Sequence, residues 1–261
     1  MSLTSPTQLQ PPSSSAAAMA SAKTPAAEDT RPLTFEVLAA PVDKTDALNL
    51  VADSIAQERQ VASRALVFNP LCVSVLVGVV SVVHFGTESI RRDVTSMLTT
   101  YSGLVLAYLL AIRYATSAYI RIAEETDWPG WLYGPDSGPA DNVVLGARYG
   151  TEIIAAVVLQ LHRGSARGKA KVNGKATIRA WTTSLRYRRR GLGGDMLREA
   201  IKTAKQTLGR NCVVEFAADH ANSAMPLPPM LNGPITARRM RATNALAAAV
   251  REWEADESSQ H

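Results

Sequence analysis

SLRYRRRGLGGDMLREAI, residues 184–201, changes character halfway along. Arg188, Arg189 and Arg190 run into Gly191, Gly193 and Gly194. An amphipathic run follows, with Leu192, Met196, Ala200, Ile201, Ala204 and Leu208 on one side and Gly209 at its close. ATIRAWTTS, residues 176–184, precedes the turn and reads as a strand. A turn from strand to helix leaves backbone N–H groups facing outward, and these donors, with the positive end of the helix dipole, favour a phosphate or pyrophosphate. Glycine lets the backbone approach such a ligand, and neighbouring arginines supply charge that pairs its oxygens. The spacing is not the G-x-G-x-x-G of dinucleotide folds, and no Gly-Lys-Ser/Thr of a phosphate-loop NTPase is present.

The same pattern reading extends to both sides of this turn. PLTFEVLAA (32–40) predicts a strand, and TDALNLVADSIAQERQVASRAL (45–66) predicts a helix carrying Leu48, Val51, Ile55 and Val61. VVLGARYGTEIIAAVVLQL (143–161) predicts two strands about a Gly150–Thr151 turn. DWPGWLYGPDSGPADN (127–142) and HRGSARGKAKVNGK (162–175) read as loops. CVVEFAA (212–218) predicts a further strand. After the Pro-rich MPLPPMLNGP (225–234), a last helix places Thr243, Leu246, Ala247, Val250 and Trp253 on one face. Strands alternating with helices in the order β-α-(insertion)-β-β-β-α-β-α predict an α/β fold with a mixed sheet flanked by helices.

The insertion is apolar. ALVFNPLCVSVLVGVVSVVHFGT (65–87) carries no formal charge, nor does VTSMLTTYSGLVLAYLLAI (94–112), which continues as YATSAYI after Arg113. A spanning helix needs about 20 apolar residues, and each run reaches that length. The connecting ESIRRD (88–93) is too short for a domain, so residues 66–121 predict a transmembrane helical hairpin with both outer ends on one side. Asn69, Pro70 and Arg113 fall near the ends of the runs, where water is close and a long side chain can snorkel. Arg59, Arg64 and Arg121 outside the hairpin balance Arg91 and Arg92 in its loop, so flanking charge does not orient it. Residues 1–31, rich in Ser, Pro, Ala and Thr, predict a disordered tail without the apolar core of a secretory signal.

Bulk composition narrows the partners. The 261-residue chain has 28 Lys and Arg against 23 Asp and Glu, a formal charge of +5, with 46% hydrophobic residues. The basic residues cluster at Arg186–Arg190 and at Arg238, Arg239 and Arg241, which suits an anionic ligand. Few aromatics accompany the arginines, and neither a helix-turn-helix nor a zinc signature is present, which argues against nucleic acid as a partner. Cys72 and Cys212 alone build neither a disulfide framework nor a metal site.

With a strand before it and an amphipathic helix after it, Arg188-x-x-Gly191-x-Gly193 resembles motif A of the GNAT superfamily of acetyl-CoA-dependent N-acetyltransferases. The apolar hairpin between the first helix and the second strand resembles the membrane-anchored, camello-like branch of that superfamily. The resemblance covers Leu33–Ala65 and Asp141–Ala255. It implies acetyl-CoA as co-substrate, no metal, an amine acceptor and lipid around the hairpin. It also implies a GNAT-like sheet divided between residues 32–65 and an acetyl-CoA-binding core at 141–255. A cytosolic face meets the main acetyl-CoA supply, so the expected location is an endomembrane with the catalytic domain cytosolic. By the same resemblance Arg188 is the leading residue of the motif. Gly191 and Gly193 are its glycines, the amides of Arg189, Arg190, Leu192 and Gly194 meet the pyrophosphate, and the backbone of Trp181, Thr182 and Thr183 pairs with the pantetheine arm.

Acetyl transfer to an amine needs a neutral nucleophile, a polarised thioester and a proton for the departing thiolate. No tyrosine follows Tyr187 to supply that proton, and no carboxylate lies between Ala176 and Tyr187 to act as base. Substitutes gather in EFAADHANS (215–223): Glu215, Asp219, His220, Asn222 and Ser223. His220 titrates in the right range for proton transfer, and Asn222 can position an amide or carbonyl. Asp219, Asn222 and Ser223 read equally as loop and capping residues. Glu152 and His162 stand at predicted strand ends. Positioning alone supplies much of the acceleration for an activated thioester. The rival reading is a non-catalytic acyl-CoA-binding protein or scaffold with a degenerate site.

Overall fold

The computed structural model describes residues 32–88, 92–134, 141–164 and 174–259. The predicted tail, the centre of the basic loop and the middle of ESIRRD lie outside them. The elements run β1 (Leu33–Val37), α1 (Pro41–Val67), α2 (Pro70–Gly86), α3 (Val94–Ala115), α4 (Ser117–Glu125) and α5 (Trp128–Tyr133). They continue with β2 (Asp141–Tyr149), β3 (Glu152–His162), β4 (Lys175–Thr183), α6 (Leu192–Leu208), β5 (Val213–Phe216) and α7 (Gly233–Ser259). The predicted order is present with one correction. Helix α5 stands where DWPGWLYGPDSGPADN reads as loop, because Pro129 sits in its first turn, where no N–H is needed. Leu132, with no exposed surface, anchors it beneath Trp128 and Trp131.

The sheet order is β1-β2-β3-β4-β5, antiparallel except for the parallel pair β4–β5. Strand β3 shows the two-residue period plainly. Val157, Leu159 and Leu161 pack with Met196, Leu197 and Ile201 of α6, whereas Ala156 and Val158 pack with Leu48 and Val51 of α1. The sheet is therefore covered by α6 on one face and α1 on the other, with α7 joining the α6 side through Leu246 and Ala249.

A bulge in β4 shapes the site. Ile178 pairs with Leu159 and Ala180 with Val158, so Arg179 is the extra residue. It reverses the alternation beyond it: Ala176 and Ile178 face α6, Ala180 faces α1, and Trp181 turns back toward the α6 side. Pairing of β4 with β5 ends at Ile178–Phe216. The next two bonds, Ala217 N–H to the Ile178 carbonyl (2.9 Å) and Ala221 N–H to the Arg179 carbonyl (2.8 Å), lead the chain away. The last residues of β4 keep β3 on one edge, and the edge toward β5 opens at the carboxyl ends of the parallel pair, where ligands of open α/β sheets bind.

Helix α1 stops and α2 starts at Asn69–Pro70, with a bend of 53°. Proline has no N–H for the Leu66 carbonyl, and the Tyr108 hydroxyl of α3 donates to the Leu66 and Val67 carbonyls instead (3.3 and 3.0 Å). The Asn69 side chain accepts the Leu71 N–H (2.9 Å), capping α2. No residue of α2 is buried, and in α3 only Ile112 is. Val75, Val82, Phe85 and Leu98 are each about two-thirds exposed or more, at 67%, 74%, 72% and 66%. The segment Val94–Glu125 is long and apolar enough to cross a membrane. Helix α2 has only 17 residues, about 26 Å of rise against ~30 Å of hydrocarbon. Only joined to α1 as one bent segment is it long and apolar enough to cross. The predicted first span is thus interrupted by the Pro70 break.

Candidate active site

The Arg–Gly turn is built by two left-handed residues, Arg189 (φ 63°) and Gly191 (φ 85°), the second of which is the N-cap of α6. Gly191 can adopt that conformation because it has no Cβ. Its carbonyl accepts the N–H groups of Gly194 (2.8 Å) and Asp195 (3.3 Å). The amides of Leu192 and Gly193 meet no backbone carbonyl among the described residues, which leaves donors at the positive end of a 17-residue helix. Gly193 is glycine for a second reason. A Cβ there would lie 3.0 Å from the Trp181 ring, whose N–H donates to the Gly193 carbonyl (3.1 Å). A Cβ on Gly194 would meet nothing within 4 Å.

The arginines of the turn divide by role. Arg188 donates Nε–H to the Thr183 carbonyl (2.9 Å) and a terminal N–H to Gln57 Oε1 of α1 (2.7 Å), so it ties the turn to the end of β4 and to the helix beneath. Burial holds its pKa below the ordinary guanidinium value, and nearby Arg238 acts the same way. Arg189 lines the adjoining cavity. The Arg190 guanidinium lies 5.9 Å from the Tyr187 ring centre, and that ring packs on Tyr149.

The cavity has a volume of about 1030 Å³. Trp181, Thr182 and Thr183 form one wall, at the opened end of β4. Phe216 and His220 come from β5 and the chain beyond it, and Leu246 and Val250 from α7. Ser54 and Glu58 of α1 line it as well. Burial pushes the Glu58 carboxyl up to about 7, against the opposing pull of its Asn222 hydrogen bond and of Arg238 and Arg188. The Asn222 amide donates to Ser54 Oγ and to Glu58 Oε1, each at 3.2 Å. Residues 168 positions apart are thereby joined at one end of the cavity.

Residues 109–226 match the Acetyltransferase (GNAT) family model. Over that stretch the chain is similar to the GNAT acetyltransferases. The match begins inside α3 and ends beyond β5, and so takes in the turn, both walls of the β4–β5 opening and Asn222. No curated protein matches the chain. The crystal structure of a transcriptional regulator from Bacillus halodurans C-125 is similar at 15% identity and a TM-score of 0.26, over 47% of this chain and 67% of that one.

Around the cavity the predicted residues separate clearly. Trp181, Thr182, Thr183, Arg188, Arg189, Gly193, His220 and Asn222 all line it. The His220 ring lies tilted, 6.0 Å from that of Phe216, itself 5.9 Å from Trp181. Burial, aided by Arg239, holds the His220 pKa below its ordinary value, so the imidazole is neutral near pH 7. Asp219 is exposed and does not line the cavity, and neither does Ser223. Glu215 lines it but is paired with Lys175 (2.6 Å). Glu152 and His162 lie exposed at the two ends of β3, away from the cavity. Among the described residues, no three His, Cys, Asp or Glu side chains converge as a metal site.

The sequence reading passed over Glu58. Its signal was present, since Ala47, Leu48, Val51, Ser54, Ile55, Ala62 and Leu66 form the buried stripe of α1. Glu58 falls on that stripe, where a carboxylate is costly unless it is partnered or functional.

Proposed function

We propose that this protein transfers an acetyl group from acetyl-CoA to an amine while anchored in a membrane by α2 and α3. One observation carries the reading: a single cavity is lined both by the Gly193 turn, with its unpaired helix-start amides, and by Glu58, with its near-neutral pKa. In this reading the Leu192 and Gly193 amides, with Arg189 and Arg190, hold the pyrophosphate. The opened edge of β4 at Trp181–Thr183 receives the pantetheine arm. Glu58 takes a proton from the acceptor amine, oriented by Asn222. As the nitrogen bonds to the thioester carbon and gives up this proton, the C–S bond breaks, and the departing thiolate takes a proton from water, since no tyrosine lines the cavity, the proton held by Glu58 then restoring the water. Exposed valines, leucines and phenylalanine along α2 and α3 support the anchor, because a surface of that extent is otherwise costly in water. In this reading the domain faces the cytosol from an endomembrane, where acetyl-CoA is supplied.

The test is to incubate detergent-solubilised protein with acetyl-CoA and a panel of amines and to measure free thiol. Amine-dependent release that Glu58→Gln abolishes is the expected result. The missing tyrosine favours a second reading, a non-catalytic acyl-CoA-binding protein. Coenzyme A binding with no thiol release from any amine would establish that one instead.

A further inference from the structure

The acetyl-acceptor end of the cavity adjoins the base of the apolar hairpin. Met225 and Ile235 line the cavity, and the same two side chains belong to the apolar cluster of Leu66, Ile112, Tyr119 and Leu227, where α1, α3 and α4 meet. Glu58 lies nine residues before Val67, the end of α1, about 14 Å along the helix axis. The interfacial layer of a bilayer is itself about 5–8 Å deep on each side. A hairpin that spans from Val67 onward therefore holds Glu58 only a turn or two above the headgroups. Arg238 also lines this end and lies close enough to Glu58 to favour its ionised form. Its guanidinium has no hydrogen-bond or ion-pair partner among the described residues.

A carboxylate beside an unpartnered guanidinium, with an apolar wall leading toward the membrane, describes three complementary features of one molecule. These are an amine, a phosphate a short distance away, and a hydrocarbon chain. We propose that the acceptor is the primary amine of an aminophospholipid, offered to Glu58 from the hairpin side with its phosphate toward Arg238 and its upper chain along Met225 and Ile235. A small polar amine gains nothing from that wall, whereas a chain removes apolar surface from water there. The proposal rests on the acetyltransfer and anchoring readings above. The lipid amine loses one proton and gains an N–acetyl bond, the thioester C–S bond breaks, and free coenzyme A leaves with the proton.

The experiment uses the full chain in phosphatidylcholine nanodiscs containing phosphatidylethanolamine, with acetyl-CoA, reading free thiol and N-acetylated lipid by mass spectrometry. Water-soluble glycerophosphoethanolamine, which has the same headgroup without chains, is the comparison. The lipid should turn over faster by on the order of tenfold, the worth of about two buried methylenes. Met225→Asp should collapse that ratio, and Arg238→Met should shift preference toward a long-chain alkylamine lacking phosphate. Simple partitioning of lipid into the nanodisc would preserve the ratio in Met225→Asp, and that result overturns the proposal. Acetylation of the soluble headgroup as fast as the lipid overturns it too, while leaving acetyl transfer intact. Thiol release from no amine at all removes acetyl transfer and this acceptor together.

Discussion

The Trp181 indole donates its N–H to the Gly193 carbonyl at 3.1 Å, and its ring stands 3.0 Å from where a Gly193 Cβ would be. One residue of the opened β4 edge thus fixes the first turn of α6, so the two proposed ends of the coenzyme site are mechanically linked. Gly193→Ala needs Trp181 to shift by a few tenths of an ångström and should weaken coenzyme A binding modestly. Gly193→Asp adds a carboxylate beside the phosphates and should weaken it by tenfold or more, since a charge-assisted hydrogen bond is worth ~1.5–3 kcal/mol. Gly194→Ala, with open space around it, should bind normally and gain up to ~1 kcal/mol in helix stability. Calorimetric titration of coenzyme A, with circular dichroism on each variant, checks all three. A folded Gly193→Asp that binds like the parent would make the turn an ordinary helix start.

Arg188 and Arg189 should behave differently although they are adjacent. Arg188 is spent on Thr183 and Gln57, so Arg188→Ala should cost ~2–3 kcal/mol of stability. Lysine should not restore it, having no fork to reach both acceptors. Arg189 has no hydrogen-bond partner among the described residues and lines the cavity. Arg189→Ala should leave thermal unfolding in place and lower coenzyme A affinity. Equal loss of stability in both variants would contradict this division.

Much of this arrangement was open to reading in the chain, and the parts that were not share a cause. The glycine turn, the amphipathic α6 and the paired strands around Gly150 follow from local pattern, which sequence displays directly. The bulge at Arg179 does not, because alternation through Ala176–Thr183 continues smoothly in the letters while the backbone adds a residue against Val158 and Leu159. That single residue decides that Trp181 faces Gly193. Glu58 was missed for another reason. In a helix of 27 residues that also carries Asp43, Asp46 and Asp53, one more carboxylate reads as solvated, and only the contact with Asn222, far along the chain, shows what it serves. Pro129 and Gly130 likewise suggested a loop where a buried Leu132 holds a short helix.

The anchoring reading predicts that the full-length protein sediments with membranes and resists carbonate extraction. Its topology is tested separately. A hairpin puts both termini on one face, so glycosylation acceptors placed near residue 20 and after residue 255 should be modified alike. Modification of one alone would mean that a single segment spans, and the interrupted α2, at 17 residues, would be the one that does not.

The raised carboxyl of Glu58 gives the last prediction two signs to satisfy at once. Its pKa stands at about 7 in the folded chain against an ordinary 4.5. Between those values the folded state holds a proton that the unfolded chain has released, so stability is fully present below pH 4.5 and falls as pH rises through 7. The loss by pH 8 is on the order of 3 kcal/mol. Catalysis runs the other way, because only the ionised carboxylate accepts the amine proton, and the rate should climb through pH 7. Glu58→Gln should therefore be the more stable protein at pH 8, little different at pH 4.5, and without the rising limb of the rate profile. Thermal unfolding at both pH values and a pH–rate profile of thiol release test the two signs independently. A Gln variant that keeps the rising limb would move the base elsewhere, with His220 the next group along the cavity wall.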